Sequence, residues 1–545
     1  MPAPGPPRPV RRFGDAALSV PVADAREARR LAAAIGRAAA VAGIERKDPG
    51  GRGRMGDRGS ADGGGDPGDV GDPGSPNGDG PGGSPWRGLR EVVGGLRSVL
   101  LVLDPAVADP TALAEQVVAL PVPERDPMAP NEIRIPVVFG GPDTDEVCQL
   151  AGLRPGQLVD LLGGAVLEVA VLGFSPGFAY LSGLPEVLRG IPRRDRPRPS
   201  VPAGSLALAG GLAAIYPQDT PGGWQLIGRT DHQLFDPTTP PFALLHPGDR
   251  VRFDPVGPVD RPGVGASSRG SGRPVGHVRS SRPLLRPPEG IPTALVVEDP
   301  GLLSLVQDGG RRGLAHLGVP AGGPADPLAH ALANRLVGNR ADAPAVEMTA
   351  AGPVLRCARS GYLAVVGARV EVILDGHPVG DRHVVPVAAG QQLVVGRITD
   401  GLRSYLAWSG GLVVPEILGS QATDLLSFLG SGPLAAGDEL GAGTPSGPPA
   451  DRLDRPPEGL EAGSVLLRVL PGPHPEWFPD DLFSTLADRS LVVDGSSDRI
   501  GLRLRPDRPL ARRAGELESQ GMVVGAVQVP PDGEPVVLGQ DHATL

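Results

Sequence analysis

Apolar and polar positions set a different rhythm in each part of the chain. Residues 10 to 20 read as a strand, Asp24 to Val41 as an alanine-rich helix, and Ser98-Val99-Leu100-Leu101-Val102-Leu103 as an unbroken aliphatic run of strand length. Trp86 to Leu96 reads as helix-like, and Thr111 to Leu120, behind Pro110, as a second helix. Strands and helices in this order predict a small α/β domain over residues 8–132. From Ile133 the texture changes to short strands between Gly/Pro turns, at Ile133 to Phe139, Leu167 to Leu172, Ser205 to Ala209, Gln225 to Ile227 and Arg250 to Phe253. Helical patterns interrupt them only at Asp145 to Ala151 and Gly156 to Leu162, so residues 133–255 are expected to form a barrel or sandwich. The same texture fills residues 293–545 around one clear helix, which Asp326 can cap, Pro327 can start and Gly338 can end. The fold class expected is mainly β with a small N-terminal α/β domain.

Two stretches cannot build a core. Asp48 to Pro85 holds 15 Gly, 6 Pro and 7 Asp in 38 residues, with Met55 and Val70 its only sizeable aliphatic side chains, and predicts a disordered insertion at 48–85. Val256 to Gly290, rich in Gly, Pro, Arg and Ser, predicts a flexible linker at 256–290 between two modules.

Composition then removes function classes. A net charge of −10 and only 18 aromatic residues argue against nucleic acid as the main partner. The start has no apolar signal region and no segment approaches 18 uninterrupted apolar residues, so a soluble cytoplasmic protein without a membrane partner is expected. Cys148 and Cys357 read as reduced core thiols. The single lysine, Lys47, opens the insertion, which leaves no ordered lysine for a P-loop, a Schiff base or biotin. The histidines form no metal-binding spacing, so no bound metal is expected.

Arginine set among glycine loops remains. Arg193-Arg194-Asp195-Arg196-Pro197-Arg198, the turn Thr220 to Thr230 with Arg229, and Asp308-Gly309-Gly310-Arg311-Arg312 supply guanidinium forks for a phosphate or carboxylate. The candidate substrate or phosphate ligands are therefore Arg193, Arg194, Arg229, Asp308, Arg311 and Arg312, with no catalytic residue singled out. Gly173-Phe174-Ser175-Pro176-Gly177 matches the G-x-S-x-G nucleophile pattern. However, Pro176 has no N–H for an oxyanion hole, and a pocket-shaping loop is the better reading.

Longer motifs carry a resemblance. GFSPGFAYLSGLP, PRRDRPRPSVPAGSLALAGGLAAIYPQDTPGGWQLIGRT and LLHPGDRVRF, with RFGDAALSV near the start, resemble the KipI or allophanate-hydrolase-subunit-1 family, which includes the B subunit of 5-oxoprolinase. DPGLLSLVQDGGRRGLAHLGVPAGGPADPLAHALANRLVGN, SSDRIGLRL and GAVQVPPDGEPVVLGQDH resemble its usual partner, the KipA or allophanate-hydrolase-subunit-2 family, which includes the C subunit. The resemblance implies cyclophilin-like β-barrels in both modules, carboxyltransferase subdomains C/D at 133–255 and A/B at 293–545. It implies a fused B/C component of an ATP-dependent 5-oxoprolinase, inactive without a separate A component of the LamB/YcsF family. ATP, with Mg, would then be a co-substrate that activates 5-oxo-L-proline for ring opening to L-glutamate. It leaves two alternatives: the carboxyltransferase part of a urea carboxylase/allophanate system, with biotin on another chain, or a non-catalytic KipI-like kinase inhibitor. The resembled family continues into a T-G-G-Y-P strand after Asp541-His542, so the second module is expected to be C-terminally short.

Overall fold

The computed structural model describes residues 9–42, 84–126, 129–257, 283–450, 465–479, 482–487, 489–515 and 517–545. Nearly all of the insertion expected at 48–85, and most of the linker expected at 256–290, lie outside the described residues.

The N-terminal domain is one helical layer on a four-stranded antiparallel sheet. Strands β1 (Arg11–Phe13), β2 (Ala17–Pro21), β3 (Leu89–Gly94) and β4 (Ser98–Leu103) lie in the order β1-β2-β4-β3. Helix α1 (Ala25–Val41) starts where Asp24 accepts from the Glu27 N–H at 2.8 Å and Glu27 accepts from Ala23 N–H at 2.8 Å. It packs Ala28, Leu31, Ile35 and Ala39 against Leu18, Val20, Val99 and Leu101, and α2 (Pro110–Ala119) adds Leu113 and Val117. The helix read over Trp86 to Leu96 is corrected, because Leu89–Gly94 is a strand paired with β4. Leu89, Val92, Val93 and Leu96 fall at helical spacing, which produced the misreading. A β-branched pair and a hairpin partner just beyond Gly95 override that spacing.

The next module is a closed barrel of seven strands. Its strands are β5 (Glu132–Phe139), β6 (Leu167–Leu172), β7 (Ala179–Ser182), β9 (Ser205–Ala209), β10 (Leu212–Ile215), β12 (Gln225–Arg229) and β13 (Arg250–Pro255). They run in the circular order β10-β7-β6-β13-β5-β12-β9, with β5 and β13 parallel. Helices α3 (Thr144–Ala151) and α4 (Pro155–Gly164) add Val147, Cys148, Leu158 and Leu162 to the core that the barrel strands build, and β8 (Arg198–Val201) with β11 (Thr220–Gly222) forms a separate two-stranded sheet. The loop read at Gly173 to Gly177 runs on to Phe178, and Ala179–Ser182 then closes the barrel between β6 and β10.

The second module opens with β14 (Thr293–Asp299) and β15 (Leu303–Gln307), then α5 (Pro327–Leu336). Asp326 caps α5 at Leu328 N–H (3.1 Å) and Ala329 N–H (3.0 Å), as the sequence predicts. Strands β16 (Ala345–Thr349), β17 (Val354–Cys357), β18 (Gly361–Leu374), β19 (His377–Pro378), β20 (Val384–Val387), β21 (Gln392–Trp408), β22 (Leu412–Val413) and β23 (Glu439–Ala442) complete a ten-stranded, half-barrel sheet with β14 and β15. Its long strands β18 and β21 bend together at Gly367, where φ is 133° and a Cβ would stand 2.7 Å from the Arg403 carbonyl. After the short helix α6 (Leu482–Ala487), β24 (Val492–Val493), β25 (Gly501–Arg505), β26 (Val527–Gln528) and β27 (Val536–Leu538) form a separate four-stranded sheet. The end of the expected linker belongs to this module: Leu285 is buried in its core and its N–H donates to Asp438 at 2.9 Å.

The modules share a hydrophobic core. Leu314, Leu317, Val319, Leu418 and Leu429 of the second pack with Val169, Leu181 and Leu234 of the first. Among the described residues no helix is long and apolar enough to cross a membrane, and no group of three potential metal ligands occurs.

Candidate functional site at the module junction

The GFSPGF loop leaves β6 and runs straight into the second module. Gly177 N–H donates to the Leu317 carbonyl at 2.9 Å, and Gly318, at φ 79°, leaves only the space a missing Cβ provides against the Ser175 carbonyl. Ser175 itself is fully buried, and its Oγ has no hydrogen-bond partner among the described residues. A nucleophile needs a base within hydrogen-bond reach, so the loop is structural. Ser175→Ala should leave turnover unchanged and leave or raise the unfolding midpoint. A thousandfold loss of activity would restore the nucleophile reading.

Beside this loop Phe178 sits at the centre of an aromatic cluster. Phe174, Tyr180, Tyr216 and Trp224 meet it edge to face at centroid distances of 5.2, 5.0, 5.2 and 5.9 Å. Burial pushes the Tyr216 phenol up to about 12 and raises Tyr180 as well, against a hydrogen bond from Ser519 and the charge of Arg193. Ser519 also accepts from Leu96 N–H at 3.0 Å, and Gly521 lies against Leu100, so the N-terminal sheet, the barrel and the second module meet here.

The arginine loop is anchored by a residue that sequence reasoning did not single out. Asp143, 4% exposed ahead of α3, accepts from Arg194 Nη1 at 2.9 Å, Arg198 Nη2 at 2.6 Å and Leu226 N–H at 2.7 Å. Arg194 is thereby committed to an internal clamp, whereas Arg193 remains exposed near the two tyrosines. Arg229 stands at the exposed end of β12, and exposed Arg312 donates from Nε to the Gly309 carbonyl at 3.4 Å. Asp308 binds its own turn and its neighbour, accepting from Gly310 N–H (2.9 Å), Ser420 Oγ (2.6 Å) and Gln421 N–H (2.7 Å). Arg311 points inward, 2% exposed, and donates to the carbonyls of Ile417 (2.9 Å) and Ala422. The structure thus brings half-buried Asp308 and buried Arg311 into one charge cluster and leaves Arg193, Arg229 and Arg312 at the surface.

That cluster contains the groups that sequence reasoning missed. Arg499, 3% exposed, grips Asp541 with two hydrogen bonds (Nε to Oδ2 2.9 Å, Nη2 to Oδ1 2.8 Å) and donates to Glu347 Oε1 at 2.5 Å and the Gly323 carbonyl at 2.6 Å. Glu347 accepts on its other oxygen from Tyr405 Oη (2.7 Å) and Ala325 N–H (2.8 Å), and Tyr405 Oη accepts from Asp326 N–H at 2.7 Å. Burial and the Glu347 charge hold the Tyr405 phenol protonated. Next to Arg499, burial and the carboxyl of Asp424 raise Asp541 to about 6 despite the bidentate arginine, and burial raises Asp424 too. Burial and the charge of Asp424 on Asp541 thus both oppose full ionisation of these two carboxyls. SSDRIGLRL and GQDH carry Arg499 and Asp541, and Glu347 is the one charge in the buried strand Ala345-Val-Glu-Met-Thr. A lone charge in an apolar strand was the signal available.

His330 closes the back of the cluster, 2% exposed and donating from Nε2 to the Gln307 carbonyl at 3.1 Å. Burial holds it below the ordinary 6.5. The unfolded chain therefore takes up the proton first as pH falls, and this contribution to stability is present above pH 6.5 and lost below it. Wild type should lose more stability than His330→Gln between pH 7 and 5 in paired denaturant titrations; equal slopes would refute this.

Comparison with known proteins places this geometry. The carboxyltransferase domain, subdomain C and D, matches residues 82–245, and subdomain A and B matches residues 317–545. The 5-oxoprolinase C subunit of Escherichia coli K12 is 35% identical over 254 residues, 45% of this chain and 79% of that protein. The 5-oxoprolinase B subunit of Escherichia coli O157:H7 is 51% identical over 126 residues, 23% of this chain, and the match spans just over half of that protein, 57%. The crystal structure of TTHA0988 superposes with a TM-score of 0.71 at 31% identity, over 98% of this chain and 94% of that one. The chain thus belongs to the carboxyltransferase-domain family, with the C/D module ahead of the A/B module in one polypeptide, consistent with a fused counterpart of the B and C subunits of 5-oxoprolinase.

Proposed function

We propose that this protein is the B/C component of an ATP-dependent 5-oxoprolinase, in which ATP activates the lactam carbonyl of 5-oxo-L-proline and ring opening with a separate A component yields L-glutamate. The observation that carries the reading is that one chain holds, in order, stretches 51% and 35% identical to the B and C subunits, joined through a common core. The chemistry of the junction agrees with it. The Asp424–Asp541 pair can supply or take the proton that moves when an amide bond opens, and Arg499 holds Asp541 in place. Arg193, Arg229 and Arg312 are the candidate arginines exposed at the surface, where the phosphates of ATP with Mg can reach them, and a LamB/YcsF-type protein is the partner this reading requires. The test is ADP release by the purified chain with 5-oxo-L-proline, with and without an added A component. Release only when all three are present supports the reading, and none under any combination sinks it.

A further inference from the structure

Strands β16 and β21 set four polar side chains in a square on one face of the half-barrel sheet. Glu347 lies opposite Tyr405 and Thr349 opposite Arg403, and alternation along each strand turns all four to the same face. Opposite Cβ atoms in such a pair stand about 4.5–5.5 Å apart, so Thr349 and Arg403 can reach one ligand together. Glu347 and Tyr405 belong to the buried cluster around Arg499. Thr349 and Arg403 form its rim, for the Arg403 side chain is 21% exposed against 0% for Glu347, and Thr349 is half-buried. Ala350 follows at φ 62°, a left-handed conformation that turns the chain away directly beside the rim.

At this rim two polar groups are left over. Thr349 Oγ1 and Arg403 Nε are buried atoms without a hydrogen-bond partner among the described residues. The contact of Arg403 with Glu347 is loose, 3.6 Å from Nε to Oε1, and its guanidinium donates no hydrogen bond among those residues. Arg311 and Arg499, by contrast, are each tied by two or more. Nor does Glu347 depend on Arg403. Its Oε1 accepts from Arg499 Nη1 at 2.5 Å, and its Oε2 accepts from Tyr405 Oη at 2.7 Å and Ala325 N–H at 2.8 Å. Arg403 thus brings to the mouth of the cluster a guanidinium fork that the protein's own acceptors leave open, with a hydroxyl beside it.

A planar fork with a neighbouring hydroxyl fits an oxyanion. The Glu347 charge close by favours one negative charge over two, a carboxylate over a phosphate dianion. We propose that Arg403, with Thr349, binds the carboxylate of a small ligand, whose oxygens accept from the Arg403 Nη groups and from Thr349 Oγ1. This deepens the proposed function, which assigns no residue to the carboxylate of 5-oxo-L-proline, and rests on it only for which carboxylate is bound.

The test is calorimetric titration of the full chain with 5-oxo-L-proline, with 2-pyrrolidone, which keeps the lactam ring but lacks the carboxylate, and with acetate and inorganic phosphate. 5-oxo-L-proline should bind about tenfold more tightly than 2-pyrrolidone, and Arg403→Gln should erase that difference while leaving 2-pyrrolidone unchanged. Arg403→Lys should restore only part of it, and Thr349→Val should weaken 5-oxo-L-proline several-fold. If Arg403→Gln does not fold, the two ring probes on the unaltered protein and on Thr349→Val still decide. Equal binding of the ring probes, a preference that survives Arg403→Gln, or an equal loss for every probe overturns the site and leaves the open atoms to ordered water. Phosphate binding more tightly than either carboxylate would overturn the choice of a carboxylate. ADP release whose KM for 5-oxo-L-proline is untouched by Arg403→Gln would sink the site and keep the proposed function. Acetate binding that needs Arg403, with neither 5-oxo-L-proline binding nor ADP release, would do the reverse.

Discussion

Arg499→Met should lower the unfolding free energy by about 3–5 kcal/mol, the range for removing one partner of a buried ion pair, and should abolish turnover. Arg499 makes four hydrogen bonds with almost no exposure, and its loss strands Glu347 and Asp541 as buried carboxyls with less to compensate them. Arg499→Lys should recover only a minor part, because one ammonium cannot span both oxygens of Asp541 and also reach Glu347. Replacing Glu347 and Asp541 by Gln and Asn in the Arg499→Met background should regain a sizeable share of the stability, since the cost lies in the orphaned charges. Urea unfolding of wild type and the three variants measures this. A single-variant loss below about 1 kcal/mol, the scale of an exposed pair, would show that solvent reaches the cluster.

Phe178→Ala carries the second large effect, a loss of about 3–5 kcal/mol for emptying a packed aromatic position. The ring is 2% exposed and is the hub of four edge-to-face contacts, each of which adds about 0.5–1.5 kcal/mol beyond burial. Phe178→Leu should keep most of the volume but lose the edge contacts, giving an intermediate loss. The effect should reach function as well, because Tyr180, which Phe178 props, holds Ser519 of the second module. Phe178→Leu is therefore expected to lower kcat even after correction for the fraction of molecules folded. A fall in stability with unchanged kcat per folded molecule would confine the cluster to a packing role.

Much of the architecture is legible in local pattern. Asp326 and Pro327 mark the start of α5 because capping and a fixed φ are properties of those residues themselves. Ser98–Leu103 and Leu167–Leu172 read as strands to the residue, since a short aliphatic run must be buried on both faces. Trp86–Leu96 and Ala179–Ser182 escape such a reading because their partners are not local. In the first a helical spacing yields to pairing with β4, and in the second a Gly/Pro-bounded segment becomes a barrel strand only because β6 and β10 flank it.

The site divides along the same line. Residue counts alone direct anion chemistry to arginine, because Lys47 is the only lysine and the histidines are scattered. Which arginine does what is a tertiary matter. Arg194, Arg311 and Arg312 sit in similar glycine- or proline-rich loops, yet Asp143 clamps the first, carbonyls of a distant turn hold the second, and the third remains at the surface. Arg499, Glu347, Asp424 and Asp541 come from four separate segments. Their chemistry arises from mutual desolvation, and that exists only once the chain has folded them into one buried cluster.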